Sequence, residues 1–180
     1  MSLEHKFCPP GAELKVDEGE VISGYASIFG RKDQGGDIVG KGAYKLSLDK
    51  MQAAGSKVKM LWQHDPSQPI GVWDEVREDA TGLWVKGRIL TDVSKGREAA
   101  ALVEAGAIDG LSIGYRTVKS RKDDKGGRLL SELELWEVSL VTFPMLPDAR
   151  VAAKGEGPEG VTLREMAAVF AEARAALSGA

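Results

Sequence analysis

Three residues of this 180-residue chain have the chemistry to break an acyl bond together: His64, Ser112 and Glu137. Ser112 lies in "DGLSIGYR", residues 109–116, where Gly110-Leu111-Ser112-Ile113-Gly114 fits G-x-S-x-G, a pattern that presents the nucleophile in many serine hydrolases. A serine hydroxyl attacks a carbonyl only when a base takes its proton. The chain has two histidines, and His5 stands in the polar N-terminal stretch, so His64 is the general-base candidate. An imidazole in that role needs an acceptor on its other nitrogen. Glu137 is the one carboxylate in the alternating row Leu133, Leu135, Glu137, Ser139, Val141, Phe143, where an ionised group is costly unless it has a partner. Asp65, next to His64 but pointing the other way along an extended chain, ranks after it. Plainer readings stand beside these. Ser112 is also a small residue in a glycine-rich strand, His64 a histidine hydrogen-bonded at a strand end, and Glu137 a rim carboxylate with Arg116 or Arg128 as its ion-pair partner.

The elements that must position these groups are mostly strands. Alternation marks "GEVISGYASIFG" (19–30), "KVKMLWQHD" (57–65, halted by Pro66) and the pair "IGVWDEVRED" (70–79) and "GLWVKGRIL" (82–90), which turns near Asp79 to Gly82. Residues 31–42 read as a loop around Gly35-Gly36-Asp37, without the Gly-Lys-Ser/Thr ending of a phosphate cradle. Two helices are expected: 43–54, with Tyr44, Leu48 and Met51 on one face and Gly55 as its stop, and 93–107, with Ser94 as N-cap and Gly106 near its end. Two long strands follow, 108–120 and 128–144, separated by "RKDDKGG". If that hairpin turns about Asp124-Lys125, positions whose numbers sum to 249 face each other, which sets Ser112 opposite Glu137; a slip of two leaves both on the same face. The element order predicts an α+β, mainly β domain on a strongly bent or closed sheet. We divide the chain into an N-terminal tail (1–20), the main domain (21–150), a linker rich in glycine (151–160) and a C-terminal helix (161–180) opening on the capping box Thr162/Glu165. That helix either docks or is removable.

The same topology excludes the α/β-hydrolases despite the G-x-S-x-G. There the histidine follows the serine and the serine sits between strand and helix; here His64 comes first and Ser112 lies inside a strand. Composition narrows the classes further. With 24 basic and 27 acidic residues and no block of like charge, a nucleic-acid partner is not expected. The single cysteine, Cys8, allows no internal disulfide, and neither cysteine nor histidine is numerous enough for a zinc cluster; no metal or organic cofactor is expected. Without an apolar run near 18 residues or a signal-peptide core, the expectation is a soluble, cytoplasmic protein with no membrane partner.

Four blocks, "GYASIFGRKDQGGDIVGKGAYKLSL", "KMLWQHDPSQPIGVW", "GLSIGYR" and "LWEVSLVTFPMLPDA", together resemble the prohead maturation proteases of tailed bacteriophages and related gene transfer agents, from about Val21 to Arg150. The resemblance implies a fold like the herpesvirus capsid maturation protease, a mostly antiparallel closed β-barrel surrounded by helices. It implies a serine endopeptidase that works inside the assembling procapsid in the host cytoplasm, cuts scaffold protein or the scaffolding region of the major capsid protein, trims itself, and self-associates as a dimer. The family's histidine falls on His64, its serine on Ser112 and its third member on Glu137, where the herpesvirus enzymes carry a second histidine. Those enzymes also follow the third member with two arginines that help bind the oxyanion. Here "SLVTFPMLPD" has none before Arg150, so backbone N–H groups are the expected substitute. Two other readings remain: a catalytically silent capsid-assembly module of the same fold, and a serine esterase using the same three residues.

Overall fold

The computed structural model describes residues 4–7, 15–17, 21–33, 35–122 and 127–143; Cys8, the linker and the C-terminal helix expected from the sequence lie outside these. The described residues form β1 (Glu4–Phe7), β2 (Lys15–Asp17), β3 (Val21–Ile28), β4 (Asp37–Val39), α1 (Lys45–Ala53), β5 (Lys59–Trp62), β6 (Asp65–Glu78), β7 (Gly82–Ile89), α2 (Ser94–Glu104), β8 (Gly110–Lys122) and β9 (Arg128–Val141). They make one sheet in the order β1-β8-β9-β5-β6-β7-β3-β2, with β4 also pairing β9. The ladders are antiparallel except where β4 and β5 lie parallel to the two ends of β9. The architecture is thus mainly β with few helices, as the strand-rich pattern predicts.

A closed barrel does not form. The sheet curls until β3 comes within 8 Å of β8, yet no ladder joins them among the described residues. The reason lies in the segment expected to be a tail. Glu4–Phe7 takes the outer edge of β8 and Lys15–Asp17 the outer edge of β3, so the two edges that closure would have paired are already occupied. The loop expected at 31–42 also contributes a strand: β4 lies on Arg128–Leu130, fastened by the Arg128 guanidinium on the Asp37 carboxylate, 2.9 and 2.6 Å.

The core runs through the curl, from Ile22 and Val85 past Met60, Ile70 and Trp73 to Ile113, Leu133 and Val138. Two glycines let β5, β6 and β7 close on one another. A Cβ at Gly71 would stand 2.4 Å from Met60 Sδ, and one at Gly87 would stand 2.3 Å from the Val72 carbonyl oxygen and 2.7 Å from the Trp73 ring. The Trp73 indole N–H then donates to the Val138 carbonyl at 3.2 Å, tying β6 to β9 across the core. Both helices end at glycines in the left-handed region, Gly55 (φ +64) and Gly106 (φ +70), as predicted. Ser94 is not the N-cap of α2: the cap is Val93, extended and without a side-chain cap, and Ser94 is already helical.

Candidate active site

The stretch around His64 departs from its expected course. Strand β5 stops at Trp62, which pairs with Asp65, so Gln63 and His64 form a two-residue hairpin loop. Both have positive φ, 52° and 61°, the backbone twist that a tight hairpin demands. Neither is a residue for which that region is cheap; the cost is about 1–2 kcal/mol each. Hydrogen bonds to β9 offset it. Gln63 N–H donates to the Leu140 carbonyl (3.0 Å), the Gln63 amide donates to Thr142 Oγ1 (2.6 Å), and His64 N–H donates to Ser139 Oγ (3.2 Å). Pro66 does not end the strand. It is the second residue of the next one, in a stretch of β6 that pairs only with β5 until β7 joins at Gly71, where a missing N–H does no harm.

In the β8–β9 hairpin the register differs by two from the simplest turn: Ser112 faces Ser139 and Gly114 faces Glu137. One step of the two is already present at the turn end, where Lys122 faces Arg128, and a bulge adds the second. Tyr115 faces Leu135 while the adjacent Gly114 faces Glu137, so Trp136 is an extra residue in β9. Parity therefore changes across Trp136. Leu133, Leu135, Val138 and Leu140 all enter the core, whereas Glu137 and Ser139 share the other face with Ser112. The continuous row Leu133-Leu135-Glu137-Ser139 expected from alternation is split at that point.

These two irregularities bring the three candidates together. His64 Nε2 lies 2.6 Å from Ser112 Oγ, and His64 Nδ1 lies 2.6 Å from Glu137 Oε1. The second Glu137 oxygen accepts from Ser139 Oγ at 2.6 Å. An ionised carboxylate only accepts, so Nδ1 carries the ring proton and Nε2 is left to accept from the serine hydroxyl. Glu137 is 3% exposed and Ser112 and Ser139 are fully buried, which keeps these bonds out of competition with water. The plainer partners of Glu137 are engaged elsewhere: Arg116 pairs with Glu134 and Arg128 with Asp37. Asp65 is turned to the start of its own strand, where the Ser67 hydroxyl (2.6 Å), Ser67 N–H (2.8 Å) and Gln68 amide (2.7 Å) hold its carboxyl below the usual carboxylate range. His5 sits in β1 opposite Gly114.

Gly114, the last residue of the G-x-S-x-G, has a definite part. A Cβ there would lie 2.0 Å from Glu137 Oε1, so the carboxylate occupies the space that a side chain would fill. Among the described residues no cluster of His, Cys, Asp and Glu could hold a metal ion, and no helix is long and apolar enough to cross a membrane. A nucleophilic hydroxyl, an imidazole bonded to it and a buried carboxylate behind the imidazole are the parts required for acyl transfer.

Residues 11–163 match the caudovirus prohead serine protease family. The chain belongs to that family. Curated prohead proteases similar to it include that of Enterobacteria phage HK97, 34% identical over 139 residues, and that of Escherichia phage T5, 29% identical over 134 residues. The matches cover 74% and 73% of this chain but only 59% and 62% of those two prohead proteases. Among solved structures, the bacteriophage T4 capsid assembly protease shares the fold with a TM-score of 0.62 at 16% identity, covering 78% of this chain and 97% of that one. The prohead protease match starts at residue 11, inside the stretch expected to be a tail. Sequence reasoning overlooked Ser139 and Gln63. A hydroxyl two residues after a carboxylate in an apolar strand is a usable signal for the first; a positive-φ turn without Gly or Asn leaves none for the second.

Proposed function

We propose that this family member is a prohead maturation serine endopeptidase, with Ser112 as nucleophile, His64 as general base and then general acid, and Glu137 as the group that orients His64. The observation that carries the reading is the unbroken hydrogen-bonded line from Ser112 Oγ through both imidazole nitrogens to Glu137 Oε1. As Ser112 Oγ bonds to the scissile carbonyl carbon, its proton passes to His64 Nε2, and the imidazolium that results is stabilised by Glu137. The ring then gives that proton to the leaving amine, and water repeats the sequence on the acyl-enzyme to restore Ser112. Backbone N–H groups supply the oxyanion donors in this reading. The substrates are scaffold protein or the scaffolding region of the major capsid protein, inside the assembling procapsid in the bacterial host. The relatives' printed roles in prohead and capsid assembly support that choice. Self-trimming would remove the segment after Arg150, and a dimer is the assembly we expect.

Mass spectrometry of protease coexpressed with capsid protein tests the reading. Wild type should generate defined fragments of capsid protein and of itself, and Ser112→Ala should generate neither. Processing by Ser112→Ala at the wild-type rate would overturn the nucleophile assignment.

A further inference from the structure

We infer that Ser139 is a positioning residue for the Ser112-His64-Glu137 arrangement, a role that rests on the proposed triad but is separable from it by experiment. Its hydroxyl makes two bonds at once: Oγ donates to Glu137 Oε2 at 2.6 Å and accepts from the His64 backbone N–H at 3.2 Å. One atom therefore joins the carboxylate that orients the ring to the backbone that carries the ring. Neither partner is held well without it. Glu137 Oε1 is committed to His64 Nδ1, so loss of the Ser139 donor leaves Oε2 with an unmet acceptor in a site that is 3% exposed. His64 stands at φ 61° in the hairpin loop, a conformation that persists only where its surroundings hold it. Ser139 is itself fully buried and faces Ser112 across the β8–β9 ladder, which fixes its hydroxyl with respect to the nucleophile. A purely packing role would be served equally by alanine, whereas two directed bonds to two members of one site would not.

The test uses the full chain with Ser139→Ala and Ser139→Cys, the latter of similar size and with a weaker donor. The first readout is the low-field proton resonance of His64 Nδ1–H, which needs no substrate and reports the imidazole–carboxylate bond. We expect it to shift and to broaden by solvent exchange in Ser139→Ala, with Ser139→Cys between the two. The second is labelling of Ser112 by a fluorophosphonate at saturation. The limiting rate should fall about 10- to 100-fold in Ser139→Ala, the loss expected of a misplaced catalytic group. The half-saturating concentration should stay within about twofold, since a positioning defect acts on chemistry more than on binding. An unchanged Nδ1–H resonance in folded Ser139→Ala overturns the proposal whatever the labelling shows. An unchanged limiting rate overturns it too. Failure of the triad reading looks different: wild type itself would then leave Ser112 unlabelled.

Discussion

Replacing Gly114 by alanine places one methyl group against the side chain of Glu137, which supplies its three nearest atoms. The added Cβ would lie 2.0 Å from Oε1, 2.7 Å from Cδ and 2.9 Å from Cγ, where real contacts essentially never fall below 3.0 Å. The carboxylate must retreat by about 1 Å or more, and it does so from a bond to His64 only 2.6 Å long. A displacement of about 1 Å at a reacting group costs about 10²-fold in rate. Loss of the orienting function of the carboxylate costs about 10⁴-fold, which sets the ceiling. The expected fall in kcat/KM is therefore about 10²- to 10⁴-fold, or about 2.7–5.4 kcal/mol of barrier. Stability should change much less. Overpacking costs about 1–3 kcal/mol, and relieving a strand of a glycine returns about 0.5–1 kcal/mol. Second-order labelling of Ser112 by a fluorophosphonate, read beside urea unfolding, separates the two effects. Gly40→Ala is the control, since its Cβ would meet the Leu130 carbonyl at an ordinary 3.4 Å. Shortening the acid as well, in Gly114→Ala/Glu137→Asp, should recover part of the loss, because the carboxylate then has one methylene less to fold over residue 114. Labelling of Gly114→Ala at the wild-type rate, with Gly40→Ala also unchanged, would refute the claim that Glu137 acts from where it lies.

Glu137→Gln keeps the shape but lets the amide favour the wrong ring tautomer, so turnover should drop by about 10³- to 10⁴-fold while the unfolding transition stays within about 2 kcal/mol of wild type; retained turnover moves the orienting role elsewhere. Gln63→Ala removes the amide bonds to Thr142 that seat the His64 turn, and we expect about 1–2 kcal/mol lost in urea unfolding together with slower labelling of Ser112; full stability would mean that the turn holds itself. Gly87→Ala forces a methyl to 2.3 Å from the Val72 carbonyl, so it should cost at least about 1–3 kcal/mol of stability; a change under about 0.5 kcal/mol would contradict the packing described. Asp65 is held below its ordinary range by Ser67 and Gln68, so its contribution is present above about pH 4 and lost as pH falls through the lower folded value. The stability gap between wild type and Asp65→Ala should accordingly narrow below pH 4, and a gap that widens there would reverse the assignment.

The strand and helix pattern was readable because it rests on periodicity. Residues 82–89 and 94–104 alternate or repeat as their burial requires, and Gly55 and Gly106 end helices where only a left-handed residue fits. The juxtaposition of His64, Ser112 and Glu137 was readable for a different reason: histidine is scarce in the sequence, and a hairpin keeps Ser112 and Glu137 on one face through a slip of two. What escaped has no local signature. Nothing in "WQHDP" announces two positive φ values, because the hydrogen bonds that maintain them come from Leu140, Ser139 and Thr142 on another strand. Closure was overestimated because the strands that prevent it, β1 and β2, are too short to stand out by alternation and form only where the long strands offer them an edge.

The bulge at Trp136 turns the position of the Glu137 carboxylate into a matter of counting. A strand in strict alternation must give each face every second residue, so one that serves the core with Leu133 and Leu135 would also send Glu137 there. One surplus residue resets the phase, so that beyond Trp136 the strand still gives Val138 and Leu140 to the core while Glu137 and Ser139 turn to the face of Ser112. The identity of residue 136, 42% exposed, matters little to this; its presence matters entirely. Substitutions at 136 should therefore be tolerated widely, while excision of that single residue exchanges inside for outside along the rest of β9, taking the acid and Ser139 from the site together.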